Sequence, residues 1–431
     1  MLDIVRALCP ASLQRLLQYG DQLLRHHDYL AIHVAIHLIP TIGDTSFIYG
    51  VVILSSKTII LLLVLILFVA TSAFVLADTD IRTFVPEPVP LQTPLQTPSQ
   101  TPQPTNRPII ILPTSSPKPI SNPAKPTKTV LISAIGDNTL GYDDDFREAG
   151  RFDKVLKSAH MDYSYFFKNV NSILSKDDIT IGNLETTFTS SNKRASKMYK
   201  FHGLPAYANI LKEGSVEAVN LANNHTLDYL EVGYKDTMQT LKDYDIPFFG
   251  YDNLTIKDVR GIKVGMFGYT GWDFDDTTKE NIQSFIQKLK DQGAEIIVAS
   301  FHWGIERDRY PNKTQKSIAH FAIDHGVDLV LGHHPHVIQG LEIYKGKYIA
   351  YSLANFVFGG NRNPKDKDTF ILQVKFSKTE DEPAYASITV IPCSISSVKE
   401  RNNYQPTPLK GRYRQHVIDR INKYSSNVTV R

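Results

Sequence analysis

An α/β sandwich with mixed sheets is the fold class this sequence predicts, and two observations predict it. From Thr129 onward, strand-like apolar runs alternate with helical stretches and then give way to a succession of strands, the order expected of layered α/β packing. In addition, metal-ligand residue types fall where predicted strands give way to loops: Asp137, Glu185, Asn224–His225, His302 and His334–Pro335–His336. No single helix or hairpin could gather positions so far apart. A folded sheet whose strand ends converge on one edge would do so.

Taken in order, the first 57 residues resist a single assignment. Residues 29–54 are apolar in patches broken by His33, His37, Pro40, Gly43 and Asp44. An interfacial segment, a second weak span and sequence upstream of the true start all fit. Residues 58–77 (TIILLLVLILFVATSAFVLA) are uncharged and mostly apolar. At a rise of about 1.5 Å per residue such a run spans about 30 Å, the hydrocarbon thickness of a bilayer. A buried core helix rarely shows a leucine-rich surface all round. Lys57 precedes the run, and Asp78 and Asp80 follow it. The positive-inside tendency therefore leaves the N-terminus cytoplasmic and exports everything after residue 78. Val75-Leu76-Ala77 offers small residues to a signal peptidase, but the run is long for a signal h-region, which favours a retained single-pass anchor.

Residues 78–128 are expected to be a Pro/Thr-rich disordered linker. Within it, residues 85–126 hold 13 of the 24 prolines and the near-repeat LQTP-LQTP-SQTP-QPTN. Such a stretch populates extended polyproline conformations and, at about 3.1 Å per residue, reaches on the order of 100 Å. A stalk crossing a wall layer and a plain linker both fit it.

The ordered domain is expected over 129–395. TVLISAIGD (129–137) reads as a buried strand, YSYFFKNVNSIL (163–174) as a helix, and DITIGNLE (178–185) as a strand entering a loop. EAVNLANNH (217–225) is another strand-to-loop edge, followed by a helix from Glu231 to Tyr244. GIKVGMFGYT (261–270) is a strand, and KENIQSFIQKLKDQG (279–293) an amphipathic helix stopped by glycine. EIIVASFHWG (295–304) and VDLVLGHHPH (327–336) repeat the strand-then-histidine arrangement around a helix at 314–325. KYIAYSLANFVFG, TFILQVKF and YASITVI close the domain as strands, the last two with antiparallel-style alternation. Residues 396–431 form a basic tail, with eight Lys or Arg against two acids from Lys399 onward and a helix near 411–424.

Composition narrows the chemistry. A formal net charge of +3 argues against a dedicated nucleic-acid binder. Of the two cysteines, Cys9 falls on the far side of the predicted span from Cys393, so they are not expected to pair. The segment between the site positions has no thiol, which excludes cysteine nucleophiles and Cys-ligated zinc there. Carboxylates, imidazoles and an amide are instead the inventory of a two-metal hydrolase, with one histidine spare for proton transfer. Pro335 favours an extended His334, and residues i and i+2 of an extended chain share a side. His334 and His336 are thus expected to face one pocket, with His333 turned away as an outer support.

The segments IGDNTLG, IGNLETTF, LANNHTLDY, SFHWGIE, DLVLGHHPHVIQG and YSLANFVF resemble the bacterial capsule synthesis protein CapA family, PgsA-like proteins of poly-γ-glutamate synthesis, over residues 129 to about 395. The resemblance implies a calcineurin-like metallophosphoesterase sandwich of two mixed β-sheets flanked by helices. It implies that Asp137 holds a first divalent metal and Glu185 bridges. Asn224, His302 and His334 would hold a second metal, and His336 would return to the first. His225 would be the general acid beside the leaving group. Two features depart from the metallophosphoesterase pattern: Thr139 stands where an imidazole is expected, and Glu185 stands where aspartate is expected. The capsule family shares both.

With two divalent ions and two carboxylates the pocket carries a net positive charge, suited to a phosphate dianion or clustered carboxylates. The N/O donors suit manganese, iron or zinc better than calcium. The leading expectation is a membrane-anchored, extracytoplasmic protein of capsule-polymer synthesis or export, with the acidic polymer or its synthase subunits as partners and a metal-dependent hydrolase site. A non-catalytic scaffold or polymer-binding subunit is the second expectation, and a general metallophosphodiesterase the third.

Overall fold

The computed structural model describes residues 127–379 and 384–431. The predicted N-terminal segment 1–57 with Cys9, the span 58–77 and the linker up to residue 126 lie outside the described residues. Among the described residues no helix is long and apolar enough to cross a membrane.

The chain runs β1 (Lys128–Thr139), α1 (Phe152–Ser158), α2 (Asn171–Leu174), β2 (Ile179–Leu184), β3 (Thr187–Phe188), β4 (His202–Gly203), α3 (Ala208–Glu213), β5 (Ala218–Asn220), α4 (Leu230–Asp243) and β6 (Phe248–Phe249). The second half continues with β7 (Thr255–Val259), β8 (Ile262–Gly271), α5 (Asp276–Asp291), β9 (Ile296–Trp303), α6 (Lys313–His325) and β10 (Leu329–His333). It closes with β11 (Leu341–Tyr344), β12 (Lys347–Ala350), β13 (Asn355–Phe358), β14 (Asp368–Lys378), β15 (Tyr385–Ser394), β16 (Thr407–Pro408) and α7 (Gly411–Tyr424).

Two mixed sheets result, with β3 and β4 forming a separate short parallel pair. The first has the order β16-β15-β14-β1-β2-β5-β6, with β13 added beside β1. Its β1, β2, β5 and β6 run parallel, while β14 and β15 are antiparallel additions. The second has the order β11-β12-β10-β9-β8-β7, parallel at its centre and antiparallel at both edges. Alternation explains the layering. In β9, Ile296 and Val298 join the cluster between the sheets, whereas Ile297, Ala299 and Phe301 face the outer cluster with Phe285, Leu289 and Ile318 of α5 and α6. Val130, Ile132 and Ala134 of β1 meet that same central cluster from the other side. A strand buried on both faces reads as a continuous apolar run.

Local chemistry sets the helix ends. Asp275 accepts from Thr278 N–H to start α5, and Asn312 forms a reciprocal capping box with Gln315 to start α6. Gly326, with φ 116°, ends α6 in the left-handed region that favours glycine.

Three expectations need correction. The helix over 163–174 is replaced by a 3₁₀ turn at Tyr163–Tyr165 and the short α2. The Asp162 carboxylate accepts from Ser164 N–H at 3.0 Å and tightens the start, while the Asn171 amide donates to the Glu213 carbonyl at 2.8 Å. Phe166, Phe167, Val170 and Leu174 stay buried although the helical ladder is lost. The expected strand over 347–359 splits, because β12 pairs with β10 in the second sheet and β13 with β1 in the first. Ala354, at φ 61°, turns the chain between them. Lastly, the basic C-terminal segment is packed into the domain. Val417, Ile418 and Ile421 of α7 belong to the central cluster, and Arg420 pairs with Asp366 at 2.6 Å and with Asp368.

Candidate metal centre

The parallel strands of both sheets deliver their C-terminal ends to one place. Asp137 comes from β1, Glu185 follows β2, Asn224 and His225 follow β5, His302 lies in β9, and His334 and His336 follow β10. Backbone close approach makes the first of these possible. A Cβ on Gly136 would lie 2.0 Å from the Ala354 carbonyl oxygen, the same oxygen that accepts from Asp137 N–H at 2.9 Å.

Glu185 is the centre of the group. Its Oε1 lies 3.6 Å from His302 Nε2, 3.8 Å from His336 Nε2 and 3.9 Å from His225 Nε2. Both of its carboxylate oxygens are buried without a hydrogen-bond partner, as is His334 Nδ1. Ligand atoms of Asp137, Glu185 and His336 lie within 4.8 Å of one another, and so do those of Glu185, His302 and His334. Asn224 Oδ1 is 2.9 Å from His302 Nε2. All seven residues singled out in the sequence therefore meet at one site. Buried polar groups are normally satisfied. A carboxylate left bare among imidazoles is accounted for by cations between them, so the donor set fits divalent ions.

The HHPH turn departs from the extended geometry expected of it. His334 has φ 96° and His336 φ 56°, conformations that cost of order 1–3 kcal/mol each away from glycine. The strain is held in place by specific bonds. His334 N–H donates to Asp137 Oδ2 at 3.2 Å, and the Asn355 side chain is bonded to both His336 Nδ1 (2.8 Å) and the His336 carbonyl (3.2 Å). The two rings still share a pocket, their centroids 5.9 Å apart. His333 sets Nδ1 3.2 Å from Asp137 Oδ1.

Electrostatics separate the two acids. Burial opposes ionisation of Asp137, but hydrogen bonds and charge from His333 and His336 outweigh it and hold the carboxyl well below its usual range. Burial, reinforced by the Asp137 charge, pushes Glu185 well above its own. Burial opposes the charged form of His336, yet Glu185 and Asp137 carry it up to about 10. Burial pushes His302 well down and His334 to about 4, each helped by a neighbouring imidazole. A neutral imidazole is the ligand form.

Sequence reasoning missed the supporting shell. The Asn183 amide donates to Asp137 Oδ1 at 2.9 Å and lies 3.3 Å from His302 Nδ1, joining the two sheets. Its own oxygen accepts from Asn220 (3.2 Å) and Asn223 (3.3 Å). Asp228 accepts from His225 Nδ1 at 2.7 Å and from Phe201 N–H at 2.6 Å. The spacing His-x-x-Asp in NHTLD was the available signal for this pair. Burial lowers the His225 pKa, and Asp228 pulls it partly back.

Comparison with known proteins follows the same residues. The family model described as bacterial capsule synthesis protein PGA_cap matches residues 132–360. The capsule biosynthesis protein CapA of Bacillus anthracis is 31% identical over 257 residues, covering 54% of this chain and 61% of that protein. The PGA biosynthesis protein CapA of Bacillus subtilis is 31% identical over 235 residues, covering 49% and 61%. The chain thus matches 61% of the length of these two curated relatives. Among solved structures, a hypothetical protein from Thermus thermophilus matches with a TM-score of 0.38 and 16% identity, covering 61% of this chain and 99% of that one. A novel phosphatase from Mycoplasma pneumoniae gives a TM-score of 0.37 and 14% identity, covering 62% and 94%. Neither structural likeness reaches the level at which a shared fold follows.

Proposed function

The chain belongs to the bacterial capsule synthesis protein PGA_cap family, and from that premise we propose that it serves the synthesis or export of an acidic, poly-γ-glutamate-like capsule polymer as a metal-dependent hydrolase of metallophosphoesterase type. The carrying observation is the buried Glu185 carboxylate, bare on both oxygens and surrounded by imidazoles. Manganese, iron or zinc bound by Asp137, Glu185, Asn224, His302, His334 and His336 would supply Lewis-acid polarisation and a water nucleophile usable at neutral pH.

The chain's own groups do the rest. Asp228 accepts a hydrogen bond from His225 Nδ1–H and so fixes the ring with Nε2 toward Glu185. From there Nε2 can hand a proton to a departing oxygen, and an anion arriving beside it restores basicity that burial removes. Trp272 packs edge-on to His334, with centroids 4.8 Å apart, and offers an exposed ring at the rim. The hydrophobic run at 58–77 supports an anchored, extracytoplasmic placement.

The reading is tested by elemental analysis of the purified full chain together with a chromogenic phosphodiester assay. Bound divalent metal with metal-dependent turnover is the expected result, and a metal-free, inactive protein would sink it. Thr139, in the place of an imidazole ligand, favours a second reading, a polymer-binding scaffold without turnover. Capsule output that survives His225→Ala would select the scaffold.

A further inference from the structure

One carboxylate beside the centre is assigned no part in the proposed reaction. Glu306 lies in the loop that leaves β9 directly after His302 and Trp303. Gly304, at φ 85°, turns that loop, and Arg307 N–H then donates to the Pro335 carbonyl at 2.8 Å. The bond clamps the loop to the peptide between His334 and His336. As a result, ligand atoms of Glu306, His334 and His336 all lie within 4.8 Å of one another. Glu306 forms no ion pair with a lysine or arginine among the described residues, although Arg307 and Arg309 are its neighbours in sequence. His334, only 9% exposed, keeps Nδ1 without a partner on the same side of the site.

One ion of the centre is short of a donor. Asp137, Glu185 and His336 form a three-residue group, and Thr139 contributes only a neutral hydroxyl, itself buried without a partner. Mid-sized divalent ions take four or more ligands and prefer carboxylate or imidazole to a hydroxyl.

We infer that Glu306 is a metal ligand, its carboxylate joining His334 and His336 on the ion that His336 shares with Asp137 and Glu185. The inference rests on the metal-centre reading above. It also changes the charge of the loaded site. Two divalent ions carry four positive charges against three carboxylates rather than two, so the pocket matches a single negative charge. A phosphodiester or one carboxylate of a polymer carries that charge, whereas a phosphate monoester dianion carries twice as much. Because Glu306 is exposed and the other acids are buried, it is also the ligand that a substrate can displace without disturbing the core.

The test is equilibrium dialysis of the full chain against Mn²⁺, with bound metal counted by elemental mass spectrometry, for wild type, Glu306→Gln and His225→Ala. The exposed position makes Glu306→Gln a folding-neutral change, checked by its metal-free melting temperature. Wild type and His225→Ala should bind alike, while Glu306→Gln should lose one ion or bind it at least tenfold more weakly. Equal stoichiometry and affinity in wild type and Glu306→Gln would overturn the ligand role and leave the centre itself standing. A wild type that takes up no Mn²⁺, zinc or iron would remove both readings together.

Discussion

His225 and His334 stand close together, yet they are predicted to fail in different ways. His225 is held by Asp228 outside the groups of mutually close ligands, whereas His334 belongs to two of them. His225→Ala should therefore leave metal content and melting temperature nearly unchanged while turnover falls roughly a hundredfold, the usual scale for a positioned proton donor. Asp228→Asn should reproduce part of that loss, on the order of tenfold or more, by releasing the ring tautomer. His334→Ala should lose metal and turnover together, as seen by elemental analysis beside the phosphodiester assay. Metal loss in His225→Ala would refute its separate role. At this scale the ligand types were legible because each sits at a strand end in a short motif. Asn183, Asp228 and Glu306 were not. A polar residue near a strand end looks the same in sequence whether it bonds its own loop or supports a histidine more than a hundred positions away, as Asn183 does His302.

Helix α7 carries the clearest divergence between charge pattern and packing. Its surplus of Lys and Arg suggested a tail separable from the domain, but Val417, Ile418 and Ile421 at i, i+1 and i+4 form one buried stripe. Ile421→Ala should cost about 2–4 kcal/mol in urea denaturation, through lost burial and the cavity left behind. Removal of residues 411–431 should unfold the domain. A truncated chain with an unchanged urea midpoint would show that the stripe contributes little. Strands and long amphipathic helices were legible here because their periods are strong. The interrupted segments at 163–174 and 347–359 were not, since side-chain capping by Asp162 and the crossing from β12 to β13 depend on partners that periodicity does not reveal.

Across the whole molecule, stability and placement can each be checked. Burial, with the charges of Glu217 and Asp178, raises the Asp177 carboxyl to about 6 against hydrogen bonds from Ser133 and Thr180. A folded-state pKa above the unfolded value means that the contribution is fully present below about pH 3.9 and is lost as pH rises through about 6. The shift corresponds to about 3 kcal/mol at most, reduced to about 1 because the group is partly exposed. Asp177→Asn should thus gain on wild type in urea midpoint between about pH 4.5 and about pH 7, and parallel pH curves would discount the effect. Placement rests on residues 58–77. A reporter active only outside the cytoplasm should work when fused after residue 128 and fail when fused at residue 50, and the reverse pattern would overturn the proposed topology. The centre itself has one more consequence. It draws Asp137, Glu185 and Asn224 from the first sheet and His302, His334 and His336 from the second, so ion binding ties the two layers together and adds its free energy to their association. A chain stripped of metal would open along that plane and be cut by proteases sooner than a loaded one. The supply of trace metal would then decide how long each copy survives, and so how much of the protein is present.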